Sequence, residues 1–205
     1  MLRTEILNLI DPHPVGTPGL FALMAGFVLF TLALLAARRR RGPSDGPPAR
    51  RSGASLIGIA IQGLGLFIVG FGPILGTLPP GSSLAIGEGI AVGVLVLIAV
   101  GLFDASSRAM GRNWAVVAQT RSDQTLVTSG PFAWVRNPIY VAIFALQLAF
   151  AVAFGHWRGL ILGVPLYWIG TWLRVAQEEK LLRAQFGTAY DDYAGRVKRF
   201  IPGLV

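Results

Sequence analysis

The sequence predicts an all-α fold, a polytopic bundle of about five transmembrane helices. The 205-residue chain is 53% hydrophobic and only 14% charged, and its mean hydropathy of +0.60 is too apolar for an ordinary soluble domain of this length. Its charges lie in short segments between long uncharged runs. Positive charges recur in alternate segments, as they do in the cytoplasmic loops of membrane proteins.

The first uncharged run, residues 15–37, is long enough to cross a bilayer, which takes about 20 mainly apolar residues. Arginines follow it at positions 38–41, 50 and 51. A cleavable signal peptide carries its positive charges before the apolar segment, so we expect this run to be retained as a stop-transfer anchor. The arginines then mark the cytoplasmic side, which leaves the N-terminus outside.

The next spans are separated by an external Pro-Pro-Gly turn at residues 79–81. We expect a second span over residues 55–78 and a third over residues 84–103, with Glu88 near its outer end. The third span stops at Asp104, and Arg108 and Arg112 return the chain to the cytoplasm. We expect the many glycines of this region to let helices pack closely; they are Gly58, Gly63, Gly65, Gly70, Gly72, Gly89 and Gly93.

The last two apolar segments, residues 139–155 and 159–173, form a predicted helical hairpin. His156, Trp157 and Arg158 separate its arms, each of which is near the lower length limit for a span. The C-terminal tail then lies inside. The chain is thus one membrane domain, residues 1–205, with N-terminal spans in residues 1–105 and the helical hairpin with its C-terminal tail in residues 106–205.

Composition excludes several functional classes. The chain has no cysteine, so disulfides, thiolate metal sites and a cysteine nucleophile are ruled out. His13 and His156 are its only histidines and lie far apart, so we expect no metal and no serine–histidine triad. The net charge of +8 comes mostly from the arginines after the first span. That placement is a topology signal, and we expect no nucleic-acid partner.

Polar residues concentrate in residues 119–140 and 174–199, both predicted at the cytoplasmic face. Asn137 and Pro138 suit the N-cap and first turn of a helix. Arg174 and Glu178 are four residues apart, as are Glu179 and Arg183, so each pair shares a helix face. They could be surface ion pairs contributing a few tenths of a kcal/mol each, or acids that face a ligand beside the lipid boundary. Local pattern leaves both open. We expect the end of the chain to lie on anionic headgroups.

In order, these residues resemble the isoprenylcysteine carboxyl methyltransferases and their bacterial and phospholipid-methylating relatives. The resemblance covers about residues 111–203 and rests on order and spacing. Its elements are Gln119, LVTSGPF at 126–132, RNPIY at 136–140, EE at 178–179, FG at 186–187, Tyr190, Tyr193 and RFIP at 199–202.

The resemblance implies methyl transfer from S-adenosylmethionine, yielding S-adenosylhomocysteine, to a hydrophobic or lipid-linked acceptor that enters from the bilayer. It also implies that residues 106–205 are the catalytic segment and that this C-terminal half forms a cytoplasmic cofactor pocket. By position, Arg174, Glu178 and Glu179 are the implied catalytic residues, and Arg174 faces the substrate. One of the two glutamates, assigned as Glu179, also binds the cofactor. The remaining implied cofactor residues are Gln119, Gln124, Thr125, Leu126, Val127, Phe132, Arg136, Asn137, Pro138, Ile139 and Tyr140.

Two departures bear on mechanism. The family's common Arg-His-Pro reads Arg136-Asn137-Pro138 here, and a glycine often found two residues after the tyrosine is Ala142. Asparagine does not titrate near neutrality, so proton transfer through a histidine at this position is not expected. A carboxylate or thiolate acceptor needs no base, whereas an amine would have to lose a proton to Glu178, Glu179 or water.

Two other classes remain open. One is a reductase of the sterol-reductase type that uses NADPH, although no Gly-x-Gly-x-x-Gly turn is present. The other is a non-catalytic membrane protein, although mid-span charges typical of transporters are nearly absent. We expect a bacterial or archaeal cell-membrane protein. The acceptor's identity and the oligomeric state are left undetermined.

Overall fold

The computed structural model describes residues 12–40, 53–111 and 125–204. In these residues the main elements are β1 (Pro14–Gly16), α1 (Thr17–Arg40), α2 (Gly53–Gly70), β2 (Leu75–Leu78), α3 (Ser83–Met110), α4 (Pro138–Phe154), α5 (Leu160–Phe186) and α6 (Thr188–Arg196). The predicted helical bundle is confirmed. The two short strands, which pair in parallel, are its one departure from an all-α fold within the described part of the chain.

The long helices alternate in direction. α1 and α3 run the same way, because Gly19 lies against Val92 near their starts while Arg40 reaches Asp104 near their ends. α4 runs opposite to α3, and α2 runs opposite to α5. The ends of α1, α3 and α5 and the start of α4 therefore meet at one end of the bundle, which we call the polar end. The opposite end carries β1 and β2 and is called the strand end.

Three helical segments of the described chain are long and apolar enough to cross a membrane. They are Thr17–Arg40, Ser83–Met110 and Trp157–Phe186, of 24, 28 and 30 residues. The apolar segments Ser55–Gly70 and Pro138–Phe154 are shorter. Of the five predicted spans, three thus meet the length criterion, and two are short helices packed within the same bundle.

Two predicted span boundaries are wrong. The second span is predicted to reach residue 78, but α2 ends at Gly70 and residues 75–78 form β2 beside β1. The third is predicted to stop at Asp104, but α3 continues to Met110. Asp104 is tolerated inside that helix because its carboxylate lies 3.2 Å from Arg40 and 2.6 Å from Arg108.

Glycines bring α2 and α5 into close antiparallel contact. A Cβ on Gly65 would lie 2.7 Å from the Gly163 carbonyl, and one on Gly170 would collide with the Gln62 backbone nitrogen. Gly58 makes a similar approach one turn from the polar end. The predicted packing role is confirmed at Gly58, Gly65 and Gly89, whereas a Cβ added to Gly63, Gly70 or Gly93 would have no neighbour within 4 Å among the described residues. The close helix contact fixes α5, and with it the acids at the polar end.

Candidate functional site

The polar end contains two adjacent acids with different surroundings. Glu178 and Glu179 lie near the end of α5, and successive residues of a helix project about 100° apart. One carboxylate therefore meets α4 while the other meets the C-terminal tail. Glu179 forms ion pairs with arginines, whereas Glu178 is hydrogen-bonded to an uncharged side chain.

Glu179 is the centre of a closed set of ion pairs with Arg136, Arg183 and Arg199, called here the Glu179 cluster. Arg199 donates from Nε and Nη2 to the two carboxylate oxygens, at 2.8 Å each. Arg136 Nη2 lies 3.0 Å from Oε1, and Arg183 Nη1 lies 3.6 Å from Oε2. The Glu179 side chain is 4% exposed. Three cations therefore surround one buried carboxylate, which holds their segments together.

The Glu179 cluster joins the C-terminal tail to the loop before α4. The Arg136 N–H donates to the Lys198 carbonyl at 2.8 Å, and the Asn137 N–H donates to the Arg199 carbonyl at 3.0 Å. The Asn137 side-chain amide also donates to the Arg199 carbonyl, at 3.3 Å. Asn137 occupies the N-cap position of α4 as predicted, but it makes no side-chain cap bond. The predicted cap is wrong in this respect because the tail engages the amide.

The tail folds back onto the bundle. Phe200 is buried with Tyr140 and Val175, and its ring centroid lies 4.8 Å from that of Trp168. The Arg199 guanidinium lies 4.5 Å from the centroid of the Trp172 ring. The sequence predicts a tail lying on lipid headgroups, but these contacts make its start part of the protein interior. It closes the polar end over α4 and α5.

Helix α6 carries two buried tyrosines, Tyr190 and Tyr193, that help to hold the C-terminal part of the chain against the polar end. The Tyr193 hydroxyl donates to the Phe132 carbonyl at 2.7 Å. Burial raises the pKa of Tyr190 to about 12 and that of Tyr193 to about 12, so both remain neutral donors at physiological pH. The hydrogen bond to Glu179 raises the pKa of the Arg199 guanidinium above its ordinary value. The ion pair that holds the tail is thus charged throughout the physiological range.

Glu178 belongs to a second set of residues, the Glu178 cluster, with Tyr140, Arg174 and Gln62. The Tyr140 hydroxyl donates to Glu178 Oε1 at 2.5 Å. Arg174 donates from Nη1 to Gln62 Oε1 at 2.7 Å, and its guanidinium lies 5.1 Å from the centroid of the Tyr140 ring. Glu178 and Arg174 are thus each hydrogen-bonded to an uncharged side chain, that of Tyr140 and that of Gln62 respectively. The Arg174 Nε is buried and has no hydrogen-bond partner among the described residues.

The two pairs with a spacing of four residues behave differently. The predicted Glu179–Arg183 pair forms, at 3.6 Å. The alternative of an ion pair between Arg174 and Glu178 is not found among the described residues, where Arg174 donates to Gln62 and Glu178 accepts from Tyr140. Arg174 and Glu178 therefore both contact Tyr140 without forming a direct ion pair with each other. Such a pair of charges can receive a ligand that carries both signs.

The other predicted site residues distribute around these clusters. Tyr140 and Pro138 are buried at the start of α4, and Tyr167 holds that turn by donating its hydroxyl to the Tyr140 carbonyl at 2.6 Å. Ile139 packs on the opposite side, with the α1–α3 contact. Leu126, Val127 and Phe132 are half-buried, and Thr125 is exposed. Gln119 and Gln124 lie outside the described residues, as do Arg41, Arg50, Arg51 and Arg112.

Sequence reasoning missed Gln62 and Thr171. Gln62 lies in an apolar helix and is 4% exposed; Thr171 is fully buried. The Gln62 Nε2 donates to the Thr171 hydroxyl at 2.8 Å. The sequence feature that could have identified Gln62 is a single amide in an apolar span, since a buried polar group in a membrane helix needs a hydrogen-bond partner. Its partner on α5 could not be read from the sequence.

Comparison with known proteins gives concordant matches in the C-terminal half. The sequence model of the phospholipid methyltransferase family matches residues 89–189. The chain is 32% identical over 87 residues to a protein-S-isoprenylcysteine O-methyltransferase of Schizosaccharomyces pombe, covering 42% of this chain and 37% of that protein. It is 33% identical over 94 residues to the Tribolium castaneum protein of the same name, covering 44% of this chain and 32% of that protein.

The matches cover about a third of the length of these curated relatives. The family-model match over residues 89–189 includes α4 and the whole of α5, and so contains the Tyr140, Arg174, Glu178 and Glu179 positions. The family predicted from motif order is the one that is found. Over about half of its length, the chain is therefore similar to the phospholipid methyltransferases and to the protein-S-isoprenylcysteine O-methyltransferases.

Proposed function

We propose that this protein is a methyltransferase that uses S-adenosylmethionine to methylate a hydrophobic or lipid-linked acceptor at the cytoplasmic membrane face. A carboxylate like that of isoprenylcysteine is the proposed methyl-accepting group. The observation that carries the proposal is the Glu178 cluster, where opposite charges lie side by side but are not paired with each other. Family membership and the names of the matched relatives support it.

The residues at the polar end fit the proposed cofactor. S-adenosylmethionine supplies a methyl group on a sulfonium, and transfer to a carboxylate oxygen breaks the carbon–sulfur bond, forms an ester and leaves S-adenosylhomocysteine. Glu178 has a carboxylate with a neutral donor, and so suits the cofactor's cationic groups. Residues 125–127, Phe132, Asn137, Pro138 and Tyr140 are the proposed walls of the pocket, together with Gln119 and Gln124.

Arg174 is the proposed binding group for the acceptor. Its guanidinium has no carboxylate partner among the described residues, and its buried Nε is free to donate. A guanidinium suits an anionic carboxylate because it presents two parallel N–H donors. With the acceptor oxygen held on one side and the cofactor on the other, alignment supplies much of the acceleration of an in-line displacement.

Proton transfer is not required in this proposal. A carboxylate acceptor is already ionised at neutral pH, so the asparagine at position 137 is not a handicap. Asn137 instead binds the tail through its amide. The tail's Phe200 covers Tyr140 and Val175 and thereby excludes water from this side of the pocket. Glu179 serves as the tail's anchor, which makes Glu178 the acid that we assign to the cofactor.

The proposed cytoplasmic location follows from charge. Arg38, Arg39 and Arg40 end α1 at the polar end, and positive residues favour the cytoplasmic side. Because the chain has no cysteine, Arg39→Cys gives a single labelling site. We expect a membrane-impermeant maleimide to label it only after cells are opened. Labelling in intact cells would overturn the orientation.

The function is tested by calorimetry on the detergent-purified protein with S-adenosylmethionine, S-adenosylhomocysteine and NADPH as ligands. We expect both adenosyl ligands to bind and NADPH not to. A transfer assay with labelled S-adenosylmethionine and N-acetyl-S-farnesylcysteine tests the acceptor class. NADPH binding alone would favour a reductase, and absence of all binding would favour a non-catalytic membrane protein.

A further inference from the structure

We propose that Gln62 positions Arg174 and, because its side chain is neutral, leaves the Arg174 charge available for an anionic group of the acceptor. This inference rests on the proposed function and deepens it. It assigns a specificity role to α2, which lies outside residues 89–189 matched by the family.

The Gln62 amide has a fixed orientation. A guanidinium can only donate hydrogen bonds, so the oxygen of the amide must face Arg174, at 2.7 Å from Nη1. The Nε2 then donates to the Thr171 hydroxyl at 2.8 Å. Gln62 is 4% exposed and Thr171 is fully buried. The amide therefore links α2 to two residues on one face of α5 with both of its ends used.

The stem of Arg174 is also fixed by α2. A Cβ on Gly58 would lie 2.8 Å from the Arg174 Cγ and 2.9 Å from the Gly170 carbonyl. The aliphatic part of the side chain thus runs directly against the α2 backbone. With its stem against Gly58, one Nη on Gln62 and its face on Tyr140, the guanidinium has little freedom. Preorganisation of this kind lowers the cost of binding an acceptor group.

Arg174 differs from Arg136 and Arg199 because its hydrogen-bond partner, Gln62, is uncharged. Arg199 and Arg136 are matched by the Glu179 carboxylate. Arg174 has only an amide, and its buried Nε has no partner among the described residues. A buried N–H donor without an acceptor is unfavourable, so the site gains when an anionic group of the acceptor reaches the Arg174 Nε. A carboxylate at position 62 would form a permanent ion pair with Arg174 and so compete with the anionic group of the acceptor.

The test compares one charged and one neutral replacement of Gln62 with a matched control. Gln62→Glu keeps an oxygen for Arg174 but adds a charge, and Gln62→Met keeps the length but removes the hydrogen bonds. The control is Gln147→Glu, since Gln147 is an equally buried amide in α4 that donates to the Gly65 carbonyl, away from Arg174. The probes are N-acetyl-S-farnesylcysteine and its neutral carboxamide, measured by calorimetry in detergent.

We expect the unmodified protein to bind the carboxylate probe about tenfold more tightly than the carboxamide. Gln62→Glu should reduce that ratio to about one and Gln62→Met should reduce it about threefold, whereas Gln147→Glu should keep it. S-adenosylhomocysteine affinity should stay unchanged in both Gln62 variants. The inference is overturned if the unmodified protein has no preference, if Gln62→Met keeps the full preference, or if the control loses it equally.

The outcome is separable from that of the proposed function. Binding of S-adenosylhomocysteine with no effect of Gln62 on the probe ratio removes the inference and leaves the methyltransferase. Absence of adenosyl-ligand binding removes the proposed function, whereas the probe ratio is still measured without cofactor. If Gln62→Glu fails to fold, Gln62→Met decides the inference by itself.

Discussion

Glu178 and Glu179 are adjacent and chemically identical, but they belong to different kinds of structure. Glu179 is enclosed by three arginines and joins α5, the loop before α4 and the C-terminal tail. Glu178 accepts a hydrogen bond from a tyrosine, and the arginine near it is held by a glutamine. A buried cluster of ion pairs fixes a fold, whereas charged groups with uncharged partners are available to a ligand. The comparison predicts that stability and ligand binding separate between the two positions.

The largest effect on stability is expected at Glu179. Glu179→Gln leaves Arg136 and Arg199 without their shared carboxylate, and breaking a buried pair from one side costs about 3 kcal/mol. We expect a lower unfolding temperature in detergent and faster proteolysis of the tail after Lys198. The measurement is a thermal melt with limited trypsin digestion. Unchanged values for both would show that the Glu179 cluster does not hold the tail.

The next largest effect is expected at Glu178, on binding instead of stability. Glu178→Gln removes the unneutralised carboxylate and should weaken S-adenosylmethionine binding by about 1.5–3 kcal/mol, the range for a charge-assisted hydrogen bond. Glu179→Gln at a temperature where it is folded is the matched control. Calorimetry and melts on both variants measure the difference. Equal and negligible losses of affinity would remove both acids from the site.

A smaller effect is expected at Tyr140. Tyr140→Phe keeps the ring against Arg174 and Phe200 but removes the 2.5 Å hydrogen bond to Glu178. We expect a loss of about 1 kcal/mol in ligand affinity, because one hydrogen bond is lost while packing is kept. Tyr140→Ala, which also loses the ring, should cost more. Equal affinities for Tyr140→Phe and the unmodified protein would show that the hydroxyl does not orient Glu178.

The smallest effect is expected at the rim of the Glu179 cluster. The Arg183 side chain is 45% exposed and its Nη1 lies 3.6 Å from the glutamate. Exposed pairs contribute only about 0–1 kcal/mol. Arg183→Gln should therefore leave the melting temperature nearly unchanged, in contrast to Arg136→Gln, whose side chain is 10% exposed. A large loss at Arg183 would mean that exposure does not rank the three arginines.

Much of the architecture could be predicted from the sequence because hydropathy and charge act over whole segments. The uncharged runs predict the long helices, and the expectation that Arg174, Glu178 and Glu179 lie on a helix is confirmed, since α5 continues to Phe186. Boundaries set by contacts could not be predicted. Residues 75–78 leave the expected span to pair with β1, and Asp104 remains within α3 because Arg40 and Arg108 neutralise it. The strand partner and Arg40 are both distant in sequence from the segments whose boundaries they change.

The functional site, like the fold, has features that could be predicted from the sequence and features that depend on tertiary contacts. The order of RNPIY, EE and RFIP is enough to predict the family, because motif order is a property of the chain itself. The assignment of cofactor and substrate residues stays a prediction, as does the single-domain division of residues 1–205. The burial of the tail could not be predicted, since the contacts of Phe200 with Trp168 and Tyr140 join segments far apart in sequence.

The sequence by itself determined that this protein is a membrane helix bundle similar to this family, with its polar residues gathered at one end. It could not distinguish Glu178 from Glu179, or show that Gln62 meets Arg174. Only the tertiary structure decided those points. Adjacent positions on a helix project about 100° apart, so the neighbours that each side chain meets depend on how distant helices and the tail pack around it.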